Sequence, residues 1–479
     1  MQHLVKKQVI DITCSKRTDA FRMQQLLSNH YWQDVLPLLS TVFNEISDEG
    51  EIVRIDKLEI DLGLISEKEM SEVQWNEEIL SRIRSQLYEK LGGKEKDQLV
   101  VHEVARMSIC KQWLFYMQKG YLPWNVLRID EAWYFKVLEV LASDFAAIAE
   151  LRKLIKQTPG VIRRIIEQHD ESYLIRLVGV LTAVSQRELG QMVEELAQVV
   201  SSTSMIASLI KGKKKPELKK GIWYWVFELA ATEQTRMSSS ELIEKILVDH
   251  STYDDIKLAI NTENGSTSTL IFSVIKKLYS TPELFSEKRS STIKEIKKDQ
   301  EKKKDDSDTG VDEEGIFVLH AGVVLIHTFL TSLFKRLQFI KDSRFVDKDA
   351  QQKAIYLVHY LAAGTVDAEE HELVVPKVLC DWPISLPVEK NIEINEDELD
   401  EGDNMLQAAI EQWPVLKSTS ISGLREGFLQ RNGKIGAKND KLQLQVEANS
   451  LDVLLDQLPW NLSMIKLPWM KAILRVEWR

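Results

Sequence analysis

Apolar and polar residues alternate along residues 3–13, with Val5 and Val9 on one parity and Ile10 and Ile12 on the other. That period predicts a strand. Residues 15–46 change to helical spacing, with Phe21, Leu26, Leu27, Val35, Leu38, Leu39, Val42, Phe43 and Ile46 on a recurring face. Pro37 divides this stretch into two helices, because a proline removes a helix hydrogen bond. Residues 51–64 alternate again: Leu58, Ile60 and Leu62 fall on one face, Lys57, Glu59 and Asp61 on the other. Ser66 and Glu69 then form a capping box for a helix that runs to Leu91 and stops at Gly92-Gly93. Residues 1–92 therefore read as a β-α-β-α module.

From Lys94 onward the pattern is helical, so 93–285 reads as a helical region. Breaks at Gly120–Pro123, Pro159-Gly160 and Lys211–Gly221 are too frequent for one rod, and no heptads persist. The Lys211–Lys220 run reads as a solvated loop. Residues 286–315 are almost wholly charged and polar and form a flexible linker, having too little apolar area to order themselves.

The second half, 316–479, reads as an α+β domain. Ile316–Phe334 carries no formal charge over 19 residues, enough to span a bilayer. His320, His327, Thr328, Thr331 and Ser332 within it favour instead a core helix running to Phe339. A helix follows over Asp349–Ala363, stopped by Gly364, then a proline-rich turn region over 376–387. An acidic helix over Glu396–Trp413 ends at Pro414, and a short helix covers Ser422–Leu429. A strand over Lys441–Glu447, a helix over Ser450–Leu458 and two final strands complete a small antiparallel sheet. The whole chain is α+β and multidomain.

Composition narrows the class. Hydrophobic residues make up 44% and charged residues 28%, the balance of a soluble globular protein. A net charge of −11 argues against nucleic acid as the partner. Cys14, Cys110 and Cys380 are too far apart for a disulfide framework and fit a reducing compartment. The N-terminus lacks the apolar core of a signal peptide, so the expected location is cytoplasmic.

No motif carries catalysis. Gly433-Lys434-Ile435-Gly436 and Gly212-Lys213-Lys214 lack the spacing of a phosphate loop. His320 and His327 lie about 10 Å apart along a helix, too far for one zinc ion. No nucleophile–base pair, cofactor motif or metal cluster stands out. The C-terminus is distinctive: Leu458-Pro459-Trp460 and Leu467-Pro468-Trp469 precede a strand-like run ending in Trp478. Three indoles need apolar cover and acceptors for their N–H groups, so this tail should be docked.

Three segments together resemble the contractile injection system tape measure proteins. The first is Ile52 to Gly63, containing Arg54-Ile55-Asp56-Lys57-Leu58-Glu59-Ile60-Asp61. The second is His320 to Leu330, with Phe334, Leu337 and Tyr356–Gly364. The third runs from Trp413-Pro414 through Gly423-Leu424-Arg425-Glu426 and Arg431 to the Leu-Pro-Trp tail with Lys466. Trp124, in Leu122-Pro123-Trp124, fits as well. The resemblance implies a structural or assembly role without catalysis or cofactor. It also implies inner tube, baseplate or cap proteins of a phage-tail-like particle as partners. Candidate docking or core residues are Arg54, Asp56, Leu58, Asp61, Trp124, Trp413, Arg425, Trp460, Lys466, Trp469 and Trp478. The competing expectations are a membrane-associated protein using 316–334 and a soluble enzyme. A length-setting ruler should be one long helix, and the broken α/β pattern reads instead as a folded subunit.

Overall fold

The computed structural model describes residues 5, 8–9, 35–46, 51–55, 81–85, 100–126, 129–158, 160–203, 215–232, 237–261, 270–286, 315–390, 392–438 and 441–478. Two compact units divide the chain, Met1–Lys111 and Gln112–Arg479.

In the first unit a helix spans Leu36–Ile46, with Pro37 in its first turn, where a missing N–H costs nothing. Strand β1 (Glu51–Ile55) pairs antiparallel with β2 (Val100–Val104), Glu51 opposite Val104 and Ile55 opposite Val100. β1 is the described part of the strand expected over 51–64. β2 lies where a helix was expected; three valines in five residues suit a pleated surface better than a helix. Val5, Gln8 and Val9, the described residues of the expected 3–13 strand, are not in a strand. Residues 81–85 are helical, within the expected 66–91 helix, whereas Ser66 and Glu69 lie outside the described residues.

The second unit opens with an array of helices. Glu131–Ser143, Phe145–Gln157, Gly160–Gln168, Glu171–Thr182 and Gln186–Thr203 follow one another with short connections. Aspartates set several boundaries. Asp130 accepts the Trp133 N–H at 2.7 Å, and Asp144 ends one helix and accepts the Ala146 N–H of the next at 2.8 Å. Helix Lys215–Thr232 packs against four of these helices and buries Trp223, Val226, Phe227 and Ala230. It begins inside the lysine run expected to be a loop. Lys219 and Lys220 are held by Glu194 and Glu167, each at 2.6 Å, which gives the helix start a reason to order.

Residues 315–478 build a five-stranded sheet in the order β3-β6-β7-β9-β8. The strands are β3 (Ile316–Val318), β6 (Gly433–Lys438), β7 (Lys441–Val446), β8 (Met464–Ile465) and β9 (Leu474–Glu477), while β4 (Ile340–Lys341) and β5 (Arg344–Phe345) form a separate hairpin. All neighbours are antiparallel except β7 and β9, so the sheet is mixed. Residues 447–473 make the crossover that a parallel pair requires. Ile435, Leu444, Ile465 and Leu474 are fully buried, and a 3₁₀ helix over Ala321–Ile326 separates β6 and β7 from helix Lys348–Ala363.

The apolar stretch after Ile316 is not the single helix expected to Phe339. It is β3, then the 3₁₀ turn, then helix His327–Arg336. Tertiary contacts override the helical pattern here. β3 is claimed by β6, and His320 turns the chain with φ of 54°. Gly322 lies so close to the 428–429 backbone that an added Cβ would meet the Phe428 carbonyl oxygen at 1.8 Å. No helix among the described residues is long and apolar enough to cross a membrane.

Gly322→Ala should lower stability by about 3 kcal/mol, at the upper end of overpacking costs, because backbone must move to admit the methyl group. Gly436→Ala, in open space with nothing within 4 Å, should change it by less than about 1 kcal/mol. Urea midpoints of the full chain, followed by tryptophan fluorescence, compare the two. Equal midpoints would refute the close approach.

Candidate functional site

Helix Gly160–Gln168 carries Arg163 and Arg164 side by side, and only one faces inward. Val161, Arg164, Ile165 and Gln168 share a face by the i, i+3, i+4, i+7 rule, and all four are buried. Arg164 is fully enclosed. Its Nε donates to Glu370 Oε2 at 2.8 Å, Nη1 to the Met117 carbonyl at 2.5 Å and Nη2 to the Ser385 carbonyl at 2.5 Å. Glu370, equally enclosed, also accepts from Lys377 Nζ at 2.5 Å. Lys377 completes its donors on the carbonyls of Ile384 at 3.1 Å and Leu386 at 2.9 Å.

One carboxylate thus lies between two buried cations, and main-chain carbonyls compensate the remaining charge. Burial pushes the Lys377 ammonium down to about 8, with Glu370 opposing and Arg164 reinforcing the shift. Gln168 Oε1 accepts both the Glu370 N–H at 3.0 Å and the Tyr116 hydroxyl at 3.2 Å. Outside this, Glu167 accepts from Lys220 Nζ at 2.6 Å and from the Lys390 N–H at 3.0 Å. Gly120, at φ of 82°, closes the cluster; a Cβ there would lie 2.9 Å from Arg164 Nη2 and 3.0 Å from Glu370 Oε1. The bonds join the helical array to the 370–390 segment of the C-terminal half, 206 residues apart for Arg164 and Glu370.

The tail wraps that same C-terminal half. Trp469 is buried between Phe334 and Phe345, ring centroids 5.3 Å from each, and its indole N–H donates to the Leu379 carbonyl at 2.8 Å. Trp460 is half-buried, edge-on to Phe329 at 5.1 Å, and donates to the Leu325 carbonyl at 2.8 Å. Trp413, 1% exposed, packs against Phe428 with the rings tilted and centroids 4.9 Å apart, and meets Trp460 at 6.5 Å. Trp478 is buried and its indole N–H has no acceptor among the described residues. A pocket of about 290 Å³ beside it is lined by Leu455, Leu458, Trp460, Leu462 and Val476 among others.

The sequence-nominated residues therefore separate. Trp413 and Trp460 come together, and Trp469 anchors a different face of the domain. Arg425 lies apart from both, donating to Asp403 at 2.8 Å and to the Leu361 carbonyl at 3.1 Å, over the Tyr360 ring at 5.0 Å. Lys466 is exposed and donates to the Lys471 carbonyl at 2.5 Å. Trp124 is half-buried in the second unit. Arg54 sits on β1 opposite Val101 in the first unit, and Asp56, Leu58 and Asp61 lie outside the described residues. Arg164, Glu370 and Lys377 were not nominated; the apolar helical face around Arg164 was the available signal.

Among the described residues no group of three or more His, Cys, Asp or Glu could hold a metal ion. The family described as contractile injection system tape measure protein matches residues 2–478, nearly the whole chain. The chain belongs to that family. No curated protein and no solved structure matches it significantly. In this tape measure family member the charge cluster joins the helical array to the sheet domain within the second unit.

Removing one partner from a buried ion pair leaves uncompensated charge, so Glu370→Gln should cost about 3–5 kcal/mol. Chemical denaturation of the purified chain measures this, and a loss below about 1 kcal/mol would mean that the cluster holds nothing together.

Trp469→Ala should cost about 3–5 kcal/mol as a large-to-small change in a packed site. Trp460→Phe, which removes one hydrogen bond, should cost about 1 kcal/mol. The reverse ranking in melting experiments would contradict the assignment of Trp469 as the anchor.

Proposed function

We propose that this tape measure family member acts in assembly of a contractile injection particle as a folded, non-catalytic subunit that docks on inner tube, baseplate or cap proteins. The observation that supports this reading is the buried Arg164–Glu370–Lys377 cluster. It ties segments far apart in sequence, so the chain doubles back on itself. A continuous helix of 479 residues would extend about 720 Å at 1.5 Å per residue. A compact unit of about 370 residues, the size of Gln112–Arg479, has a radius of gyration near 21 Å. A body of that size does not measure a tube by its contour.

Among the nominated docking residues, Trp413, Trp469 and Trp478 are spent on the domain's own core. Lys466 is exposed, and Trp460, Trp124 and Arg425 are half-buried, so these four are the better candidates for partner contact. The membrane reading has little left to rest on, since 316–334 is divided among three short elements.

Deleting the gene should leave sheath and tube proteins made while particles are absent or abnormal by electron microscopy. Length then separates subunit from ruler. Removing about 20 residues from 286–315 would shorten a helical ruler by about 30 Å. It would remove only slack from a polar linker between folded parts. Particles of unchanged length are expected, and shortening in proportion to the deletion would overturn the proposal.

A further inference from the structure

Three histidines stand in a row beside the charge cluster. His320 caps the 3₁₀ turn at its αL backbone, His359 lies on helix Lys348–Ala363, and His371 directly follows Glu370. The His320 and His359 rings are 5.4 Å apart, and His371 is near enough for a charge on His359 to disfavour one on its own ring. His359 is 1% exposed. Nδ1 of His320 and Nδ1 of His371 are buried without a hydrogen-bond partner among the described residues, and the His359 ring reaches no more than the Asp367 backbone. The Tyr116 ring meets His371 edge-on at 5.9 Å, and the Tyr116 hydroxyl bonds Gln168, whose oxygen holds the Glu370 N–H. The row is thus mechanically continuous with the joint between the helical array and the C-terminal half.

We propose that His320, His359 and His371 make this joint an acid-sensitive latch, which their protonation opens while the sheet domain stays folded. Most of the neighbouring carboxylates are already engaged, and Glu369 keeps one buried oxygen, Oε2, without a hydrogen-bond partner among the described residues. Glu370 is engaged by Arg164 and Lys377. Glu369 is held by Lys390 at 3.1 Å and Glu372 by the Glu369 N–H at 2.8 Å. Glu167 is held by Lys220, and Glu389 by Arg163 at 2.8 Å. Asp367 offers His359 only its backbone. Tyr116, Tyr134 and Tyr356 stay neutral because burial raises all three.

His169 shows the contrast. Its Nδ1 bonds the Ile165 carbonyl at 2.8 Å and its Nε2 accepts from the Trp113 indole at 3.3 Å, so a single neutral tautomer is satisfied.

Burial lowers all three latch histidines to about 4, the neighbouring histidine adding to the effect at His359 and His371. Their folded values lie below the ordinary 6.5, so the open state binds more protons. Stability is therefore lost as pH falls from about 6.5 to 4. Each histidine multiplies the opening constant by up to tenfold per pH unit in that window, and the row by up to a thousandfold.

The experiment is hydrogen exchange of the full chain at pH 7 and near pH 5, corrected for intrinsic rates. Helices Gly160–Gln168 and Val374–Leu379 are expected to lose protection before β7. In H320Q/H359Q/H371Q they should keep it, whereas H250N, distant on the Ser239–His250 helix, should behave as the native chain. Loss of protection in β7 first, or unchanged acid opening in the triple variant, would overturn the proposal. Should that variant not fold, NMR titration of the native rings decides. Midpoints near 4–5 support the latch, and midpoints near 6.5 refute it.

Discussion

Enclosing Arg164, Glu370 and Lys377 costs several kcal/mol per ion in lost hydration, and the fold recovers it only through geometry. Every donor has an oxygen: one carboxylate shared by two cations, and carbonyls from residues 117, 384, 385 and 386. Those carbonyls are available because helix Ala105–Lys119 ends at Gly120 in the left-handed region and residues 380–387 turn sharply. Partial assembly of the cluster leaves naked charge, so the array and the C-terminal half dock completely or not at all. The rim pairs Arg163–Glu389 and Lys390–Glu369 are partly exposed and contribute little by comparison.

The sheet domain depends on a second constraint of a different kind. Backbones approach closely at Gly322 against Phe428 and at Gly433 against Gln445, leaving no room for any side chain. These contacts place the 3₁₀ turn between sheet and helix. From there Leu325 offers its carbonyl to Trp460. The aromatic anchors of the tail are thus positioned by main-chain geometry as much as by apolar burial.

Local signals in the sequence carried much of this. Asn395 with Glu398 caps helix Glu396–Gln412, Pro414 follows its end, and Gly364 at φ of 80° stops helix Lys348–Ala363. Such features act within a turn or two and can be read directly. What failed to show was decided by distant partners. The 316–326 stretch has the apolarity of a helix, but β6 takes its first residues, and β6 itself, with glycines at 433 and 436, carries a weak strand pattern. Arg163 and Arg164 are chemically identical neighbours, and only the packed face distinguishes a half-exposed ion pair from the centre of the joint. The tryptophans were legible as docked; their division into separate clusters was not, since it depends on where Phe329, Phe334, Phe345 and Phe428 come to lie.

The parallel pairing of β7 with β9 has a bearing on synthesis. β9 lies inside the sheet, between β7 and β8, and comes last of the five strands in the chain. A nascent polypeptide that has not yet presented Leu474–Glu477 carries two open edges, at β7 and β8, ready to accept a foreign strand. Once in place, β9 covers both and leaves only the outer sides of β3 and β8 as the edges of the sheet.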